Sequence, residues 1–349
     1  MVWQRKTTVW AMLVLSGMAT VATAFSAEPG AGPDLRVEYR GAVTLPETAS
    51  DALGADVPLT GLSGITWLGA DRYAAIMDNS RCVLWLRLEL AADGTPRGAS
   101  ELAVLTLAAR HDYEDVAPRA GDDPALFACE EDTPAIRIFR LADGAERGTL
   151  PLPPILRNRR PNRGLEALAL DPDGRHLWTA NEEALATDGP PAAPGIGTVV
   201  RLVRLPFDPE RPVRQIAYAV DPPHPLAALT EGSRFSGVVA MVALGRGRLL
   251  VLERSAGPGL PPFQNRLYLV DTAAATDVAG VGHGLSQRRE AFVPKRLVWS
   301  DALGINLEGL CLGPRLGDGH RALVGIADHG GLGTPTAVPG FEMAPVTTP

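Results

Sequence analysis

The sequence predicts an all-β protein, a β-propeller of five or six blades closed by an N-terminal strand. Three observations carry this expectation. The 349-residue chain is 46% hydrophobic, enough to build a large core and to exclude disorder as its overall state. It holds 37 Gly and 31 Pro, which disfavour long helices and fit short strands joined by tight turns. A short motif then returns five times along the chain.

Each copy opens with an apolar or aromatic residue, then Ser or Glu, then a small residue or Asp, then an aliphatic one. The copies are Leu62-Ser63-Gly64-Ile65, Tyr113-Glu114-Asp115-Val116, Leu165-Glu166-Ala167-Leu168, Phe235-Ser236-Gly237-Val238 and Leu307-Glu308-Gly309-Leu310. Their second positions are separated by 51, 52, 70 and 72 residues, and the two longer intervals leave room for a degenerate sixth unit. A turn follows each opening, then a second apolar run that ends in an acid: Asp78, Glu130, Glu182, Glu253 and Asp328. Third strands are expected at Val83 to Leu90, Ala135 to Leu141, Val199 to Leu205 and Arg266 to Val270. Fourth strands are expected at Glu101 to Leu107, Gln215 to Val220 and Arg296 to Ser300. Four strands per unit is the pattern of a propeller blade. The last unit is short of strands after Asp328, and Leu35 to Leu45 is expected to supply its outer one.

Met1 to Ala24 reads as a cleavable export signal. Arg5 and Lys6 precede the apolar run Val9 to Val21, and Ala22-Thr23-Ala24 supplies the small residues of a cleavage site. Residues 25–349 are then one domain, expected to be periplasmic or secreted, with no stable membrane span after cleavage. The formal charge of −7 leaves no cationic excess for phosphates along a duplex, so nucleic acid is not an expected partner. Cys82, Cys129 and Cys311 lie in or beside strand-like runs and read as buried thiols, with a Cys82–Cys129 disulfide as the alternative in an oxidising compartment.

The repeat makes a geometric claim about chemistry. Glu114, Glu166 and Glu308 occupy one matched position, and Asp78, Glu130, Glu182, Glu253 and Asp328 a second, so both sets should converge on one mouth of the ring. Gathered carboxylates repel and raise one another's pKa unless a cation or arginine offsets them. Oxygen donors without His or Cys favour calcium. The plain alternative is that these acids cap strand ends and pair with nearby arginines. Arg163 and Arg254 stand beside repeat acids, and Arg81 follows Asp78; guanidinium groups there suit the oxygens of a phosphate ester. The neighbouring Arg157, Arg159 and Arg160 read as a solvated basic loop. Asp171-Pro172-Asp173-Gly174 reads as a hairpin turn, its Gly misplaced for a calcium loop. No run matches the GxSxG nucleophile elbow; His111 and His329 lie near repeat acids, where proton transfer is one reading and isolated polar loop residues the plainer one.

Several runs together carry a family likeness: Leu62 to Ile65, Asn162-Arg163-Gly164-Leu165-Glu166-Ala167-Leu168 and Asn181-Glu182-Glu183. Leu249-Leu250-Val251-Leu252-Glu253-Arg254 and Ile305-Asn306-Leu307-Glu308-Gly309-Leu310 complete the set. They resemble the esterase-like phytase family, exported acid-rich proteins with repeated blade-like segments. The resemblance spans roughly Gly41 to Gly330 and implies a propeller-like domain whose motif acids match Glu166, Glu253, Glu308 and Asp328. It also implies hydrolysis of phosphate or other esters. Ala167 departs from the family, which often has Gly after the Glu.

The resulting expectation is an exported, calcium-assisted hydrolase of phosphate esters acting on a small phosphorylated or ester substrate. Glu166, Glu308 and Glu114 are its candidate catalytic residues, and Arg81, Arg163 and Arg254 its substrate-binding residues. Asp78, Glu130, Glu182, Glu253 and Asp328 are its candidate metal ligands. The rival is a non-catalytic periplasmic propeller that binds a ligand or a protein partner, and a lactonase-type propeller with one metal and a carboxylate base is a third reading.

Overall fold

The structure, a computed structural model, describes residues 35–121, 124–225, 234–301, 304–328 and 336–345. Residues 1–24, expected to be an export signal, and His329 lie outside them. Three short N-terminal strands come first: β1 (Leu35–Thr44), β2 (Thr48–Asp51) and β3 (Asp56–Pro58). Five blades follow. The first holds β4 (Leu62–Gly69), β5 (Arg72–Met77), β6 (Ser80–Leu90) and β7 (Pro96–His111), with β2 and β3 added beyond β7. The second holds β8 (Tyr113–Arg119), β9 (Ala125–Glu130), β10 (Ala135–Arg140) and β11 (Glu146–Leu150).

The third blade is β12 (Leu165–Leu170), β13 (His176–Asn181), β14 (Thr198–Pro206) and β15 (Arg214–Val220). The fourth is β16 (Phe235–Gly245), β17 (Arg248–Ala256), β18 (Phe263–Asp271) and β19 (Lys295–Ser300). The fifth contains β20 (Leu307–Arg315), β21 (Arg321–Ala327) and β22 (Ala337–Pro345), and its sheet is completed by β1, antiparallel to β22 from Leu35↔Pro345 to Thr44↔Ala337. Among the described residues the ring has five blades and no sixth. No α-helix is present among the described residues, and none of their helices is long and apolar enough to cross a membrane.

Burial follows position within the blade. The second strands β9 and β13 are buried almost throughout, because sheets of adjacent blades cover both their faces. The outer strands β11 and β19 hold only exposed and half-buried residues. Neighbouring innermost strands touch one another around the axis, and β20 closes on β4. Glycine permits that approach: a Cβ on Gly309 would stand 2.7 Å from the Ser63 carbonyl oxygen and 2.8 Å from Gly64 Cα. The Asp171–Gly174 run is the β12–β13 hairpin turn, with Gly174 at φ +65° donating its N–H to the Asp171 carbonyl. All three cysteines are free, with Cys129 and Cys311 buried.

Candidate active site: an acid-lined cavity where the blade hairpins meet

The first residue pair of each innermost hairpin sets the site. In the first blade Leu62 pairs with Met77 and Gly64 with Ile76, so Ser63 is an extra residue, a β-bulge. The same break places Glu114 between Tyr113↔Glu130 and Asp115↔Cys129, and Glu166 between Leu165↔Asn181 and Ala167↔Ala180. It places Glu308 between Leu307↔Ala327 and Gly309↔Ile326. A bulge re-aims its side chain out of the strand's alternation, and here it turns the second motif residue toward the axis.

The fourth blade corrects the sequence register. There Val238 pairs with Glu253 and Ala240 with Leu252, so the bulge falls at Val239. The Phe235-Ser236-Gly237-Val238 run imitates the motif three residues too early. Val239 is buried in the apolar core, and the fourth blade contributes no acid from its bulge.

The same register defines the second matched set as Asp78, Glu131, Glu182, Arg254 and Asp328, each directly after the residue that opens the hairpin pairing. In four blades its backbone N–H donates to the residue before the innermost strand: Asp78 to Gly61, Glu131 to Asp112, Glu182 to Gly164 and Asp328 to Asn306. Glu130 and Glu253 are one residue off this position, and a one-residue step in a strand reverses the face. Neither lines the cavity. Glu130 binds Arg137 at 2.7 Å and His111 at 3.0 Å. Glu253 accepts from the Tyr218 hydroxyl at 2.7 Å and Lys295 Nζ at 2.5 Å. Arg81 is exposed on β6 and also lies outside the cavity.

The remaining candidates come together. A cavity of about 210 Å³ is lined by Glu114, Glu166 and Glu308, by Asp78, Glu182 and Asp328, and by Arg163 and Arg254. Asp112, Glu131, Asn79 and Asn162 also line it; the sequence reading named Asn162 only within a family run and passed over the other three. A signal for Asp112 was available, since it stands directly before a motif opening, as Gly61, Gly164 and Asn306 do. Asn79 and Asn162 hold φ of +45° and +54°, which asparagine tolerates better than most side chains.

Eight carboxylates and two guanidinium groups therefore line the cavity, an excess of six negative charges over positive ones if all ionise. Burial and mutual repulsion answer part of this by favouring protons. Burial pushes Glu166 well above the usual carboxylate range, with Glu182, Glu114 and Glu131 adding to it and Arg254 opposing. Glu114 is raised in the same way, burial first, against a 2.7 Å hydrogen bond from the Ser63 hydroxyl. Glu182 is pushed up to about 8 by burial, although Arg163 and Arg254 pull it down. Asp78 rises to about 6 through burial and the charges of Asp112, Asp328 and Glu308.

The two arginines share Glu182. Arg163 Nη1 lies 3.0 Å from one carboxylate oxygen and Arg254 Nη2 3.6 Å from the other. Arg254 also pairs with Glu308 and donates to Asn306 Oδ1 at 2.9 Å. Burial works against its charge, yet Glu308, Glu182 and Glu166 hold it above the ordinary arginine value.

Two trios of carboxylates have the spacing of cation ligands: Asp112, Glu114 and Glu131, and Glu131, Glu166 and Glu182, with oxygens within 4.8 Å of one another in each. The donors are all oxygen and no His or Cys lines the cavity, which fits calcium better than zinc or copper. Glu166 gives this fit its strongest support. It is only 6% exposed, and among the described residues its carboxylate takes part in no hydrogen bond or ion pair.

The solved structures to which the chain is similar are distant. The luciferin-regenerating enzyme is 12% identical, with a TM-score of 0.41 over 90% of this chain and 96% of that one. The PQQ-bound aldose sugar dehydrogenase of Streptomyces coelicolor is 12% identical, at 0.41 over 90% and 100%. Kuenenia stuttgartiensis hydrazine synthase is 12% identical, at 0.38 over 83% of this chain, which spans 64% of that one. No curated protein matches the sequence. The family comparison is more direct, since residues 57–330 match the model of the phytase-like family, described by the esterase-like activity of phytase. That span contains all five innermost hairpins and every residue lining the cavity. The chain belongs to the phytase-like family.

Proposed function

We propose that the cavity is the active centre of an exported, calcium-assisted hydrolase of phosphate esters. The observation that carries this reading is Glu166, a buried carboxylate without a partner, held by its bulge in a cavity short of positive charge. A binding module with every acid tied up in arginine pairs would not leave it so. Family membership supports ester chemistry in general, and the arginines support an anionic substrate.

Glu131, Glu166 and Glu182 would hold the cation. When bound, it supplies positive charge to the phosphoryl oxygens and favours ionisation of water. Arg163 and Arg254 bind and orient the phosphoryl oxygens, and they stabilise the charge that grows on them. Glu114, fixed by Ser63, takes a proton from the attacking water. The water oxygen bonds to phosphorus, the bond to the ester oxygen breaks, that oxygen takes a proton from solvent and leaves as the alcohol, and Glu114 returns its proton to solvent as phosphate leaves.

The test is turnover by purified protein on a panel of chromogenic phosphate and carboxylate esters, with calcium and with chelator. Calcium-dependent release from phosphate esters is expected. Silence across the panel from folded protein would transfer the assignment to a non-catalytic propeller that binds a ligand or protein partner.

A further inference from the structure

Phe235 belongs to the run that imitates the motif, and the register leaves it without the role that the repeat assigned. Its ring instead lies under both cavity arginines. The guanidinium carbon of Arg163 stands 4.6 Å from the ring centroid and that of Arg254 stands 5.7 Å from it. Phe235 is only 8% exposed, so the contacts are largely screened from water. Gly237 secures the ring from below: a Cβ there would meet it at 2.6 Å.

The two arginines come from different blades. Arg163 precedes β12 in the third, and Arg254 lies on β17 in the fourth. Glu182 reaches both, one oxygen toward each. Phe235 thus supplies the apolar side of a four-residue group whose polar side is Glu182. A planar guanidinium stacked on a ring keeps its N–H edge directed sideways, so stacking leaves hydrogen bonding to an anion intact. Arg254 Nε is buried and makes no hydrogen bond, so the contacts of this guanidinium run through its two Nη atoms.

We propose that Phe235 is a positioning residue whose ring holds Arg163 and Arg254 as a two-pronged grip for one tetrahedral oxyanion. The proposal rests on the reading of the cavity as a phosphate-ester site. Two cation–π contacts removed together should weaken anion binding by roughly tenfold or more. Glu182 belongs both to this group and to one carboxylate trio, but neither trio includes Phe235 or the arginines, so calcium affinity should change far less than phosphate affinity.

Calorimetric titration of inorganic phosphate into the full mature chain with calcium tests this, using wild type, Phe235→Leu and Phe235→Trp. Phosphate should bind wild type, bind Phe235→Leu about tenfold more weakly or worse, and recover with Phe235→Trp. Calcium affinity should stay within about threefold across the three, which also reports that each is folded. In steady state Phe235→Leu should raise KM more than it lowers kcat. Phosphate affinity in Phe235→Leu equal to wild type would overturn the positioning role and leave the phosphate-ester reading standing. Failure of wild type to bind phosphate would remove both. A loss of calcium affinity in Phe235→Leu, restored by Phe235→Trp, would make the ring a support of the whole cavity and overturn the specific grip.

Discussion

The Ser63 hydroxyl donates a 2.7 Å hydrogen bond to Glu114, and both residues are the bulged residue of their own innermost strand. The bond therefore joins equivalent points of adjacent blades and fixes one wall of the cavity. Ser63→Ala should leave the fold in place and free the Glu114 carboxylate. Losing one hydrogen bond to a buried carboxyl should cost about 1–2 kcal/mol of stability, read by urea unfolding. Any turnover should shift its pH dependence upward, because the bond from Ser63 favours the ionised form of Glu114.

The raised carboxyls predict how the chelator-treated protein responds to pH. Acids whose folded pKa exceeds the unfolded value stabilise the fold below the unfolded pKa, and that stability is lost as pH rises through the folded one. Unfolded carboxyls titrate near pH 4, while Asp78 titrates at about 6 and Glu182 at about 8. Melting temperature in chelator should fall between pH 5 and 8.5. Calcium should flatten the decline. A melting temperature that climbs across that range in chelator would contradict the cavity electrostatics.

Glycine at the ring's centre yields a stability prediction. Gly309→Ala would press a methyl against the Ser63 carbonyl and Gly64 Cα, both backbone atoms of the facing strand. Overpacking of this kind costs about 1–3 kcal/mol. Denaturant unfolding of Gly309→Ala against wild type measures it.

Glu253 provides a control that separates structure from chemistry. It sits on the opposite face from Arg254, bonded to Tyr218 and Lys295. Glu253→Gln should lower stability by about 1–3 kcal/mol and leave calcium affinity within twofold of wild type.

The sequence reading and the structure agree where the signal is a repeated strand and part where it is a register. The all-β class, the repeat and four of its five openings were legible because apolar alternation and turn residues are local properties. Bulge position is not local. It depends on which residue of β16 meets Glu253, and that is Val238, three residues past the opening the motif suggested. The same dependence hid Glu131 behind Glu130, since adjacent strand residues differ in face and not in chemistry. Arg254 was read as an arginine near an acid, whereas it occupies the position that holds an acid in every other blade.

The central claim is that carboxylates turned inward by the bulges form a cation site with Glu166 among its ligands. Calorimetric titration of calcium into chelator-stripped protein, wild type against Glu166→Gln, tests it most directly. The account predicts binding by wild type, a loss of at least tenfold in Glu166→Gln, and a folded variant whose melting temperature in chelator at pH 8 is no lower than that of wild type. Equal calcium affinity in the two proteins, or none in either, would contradict it.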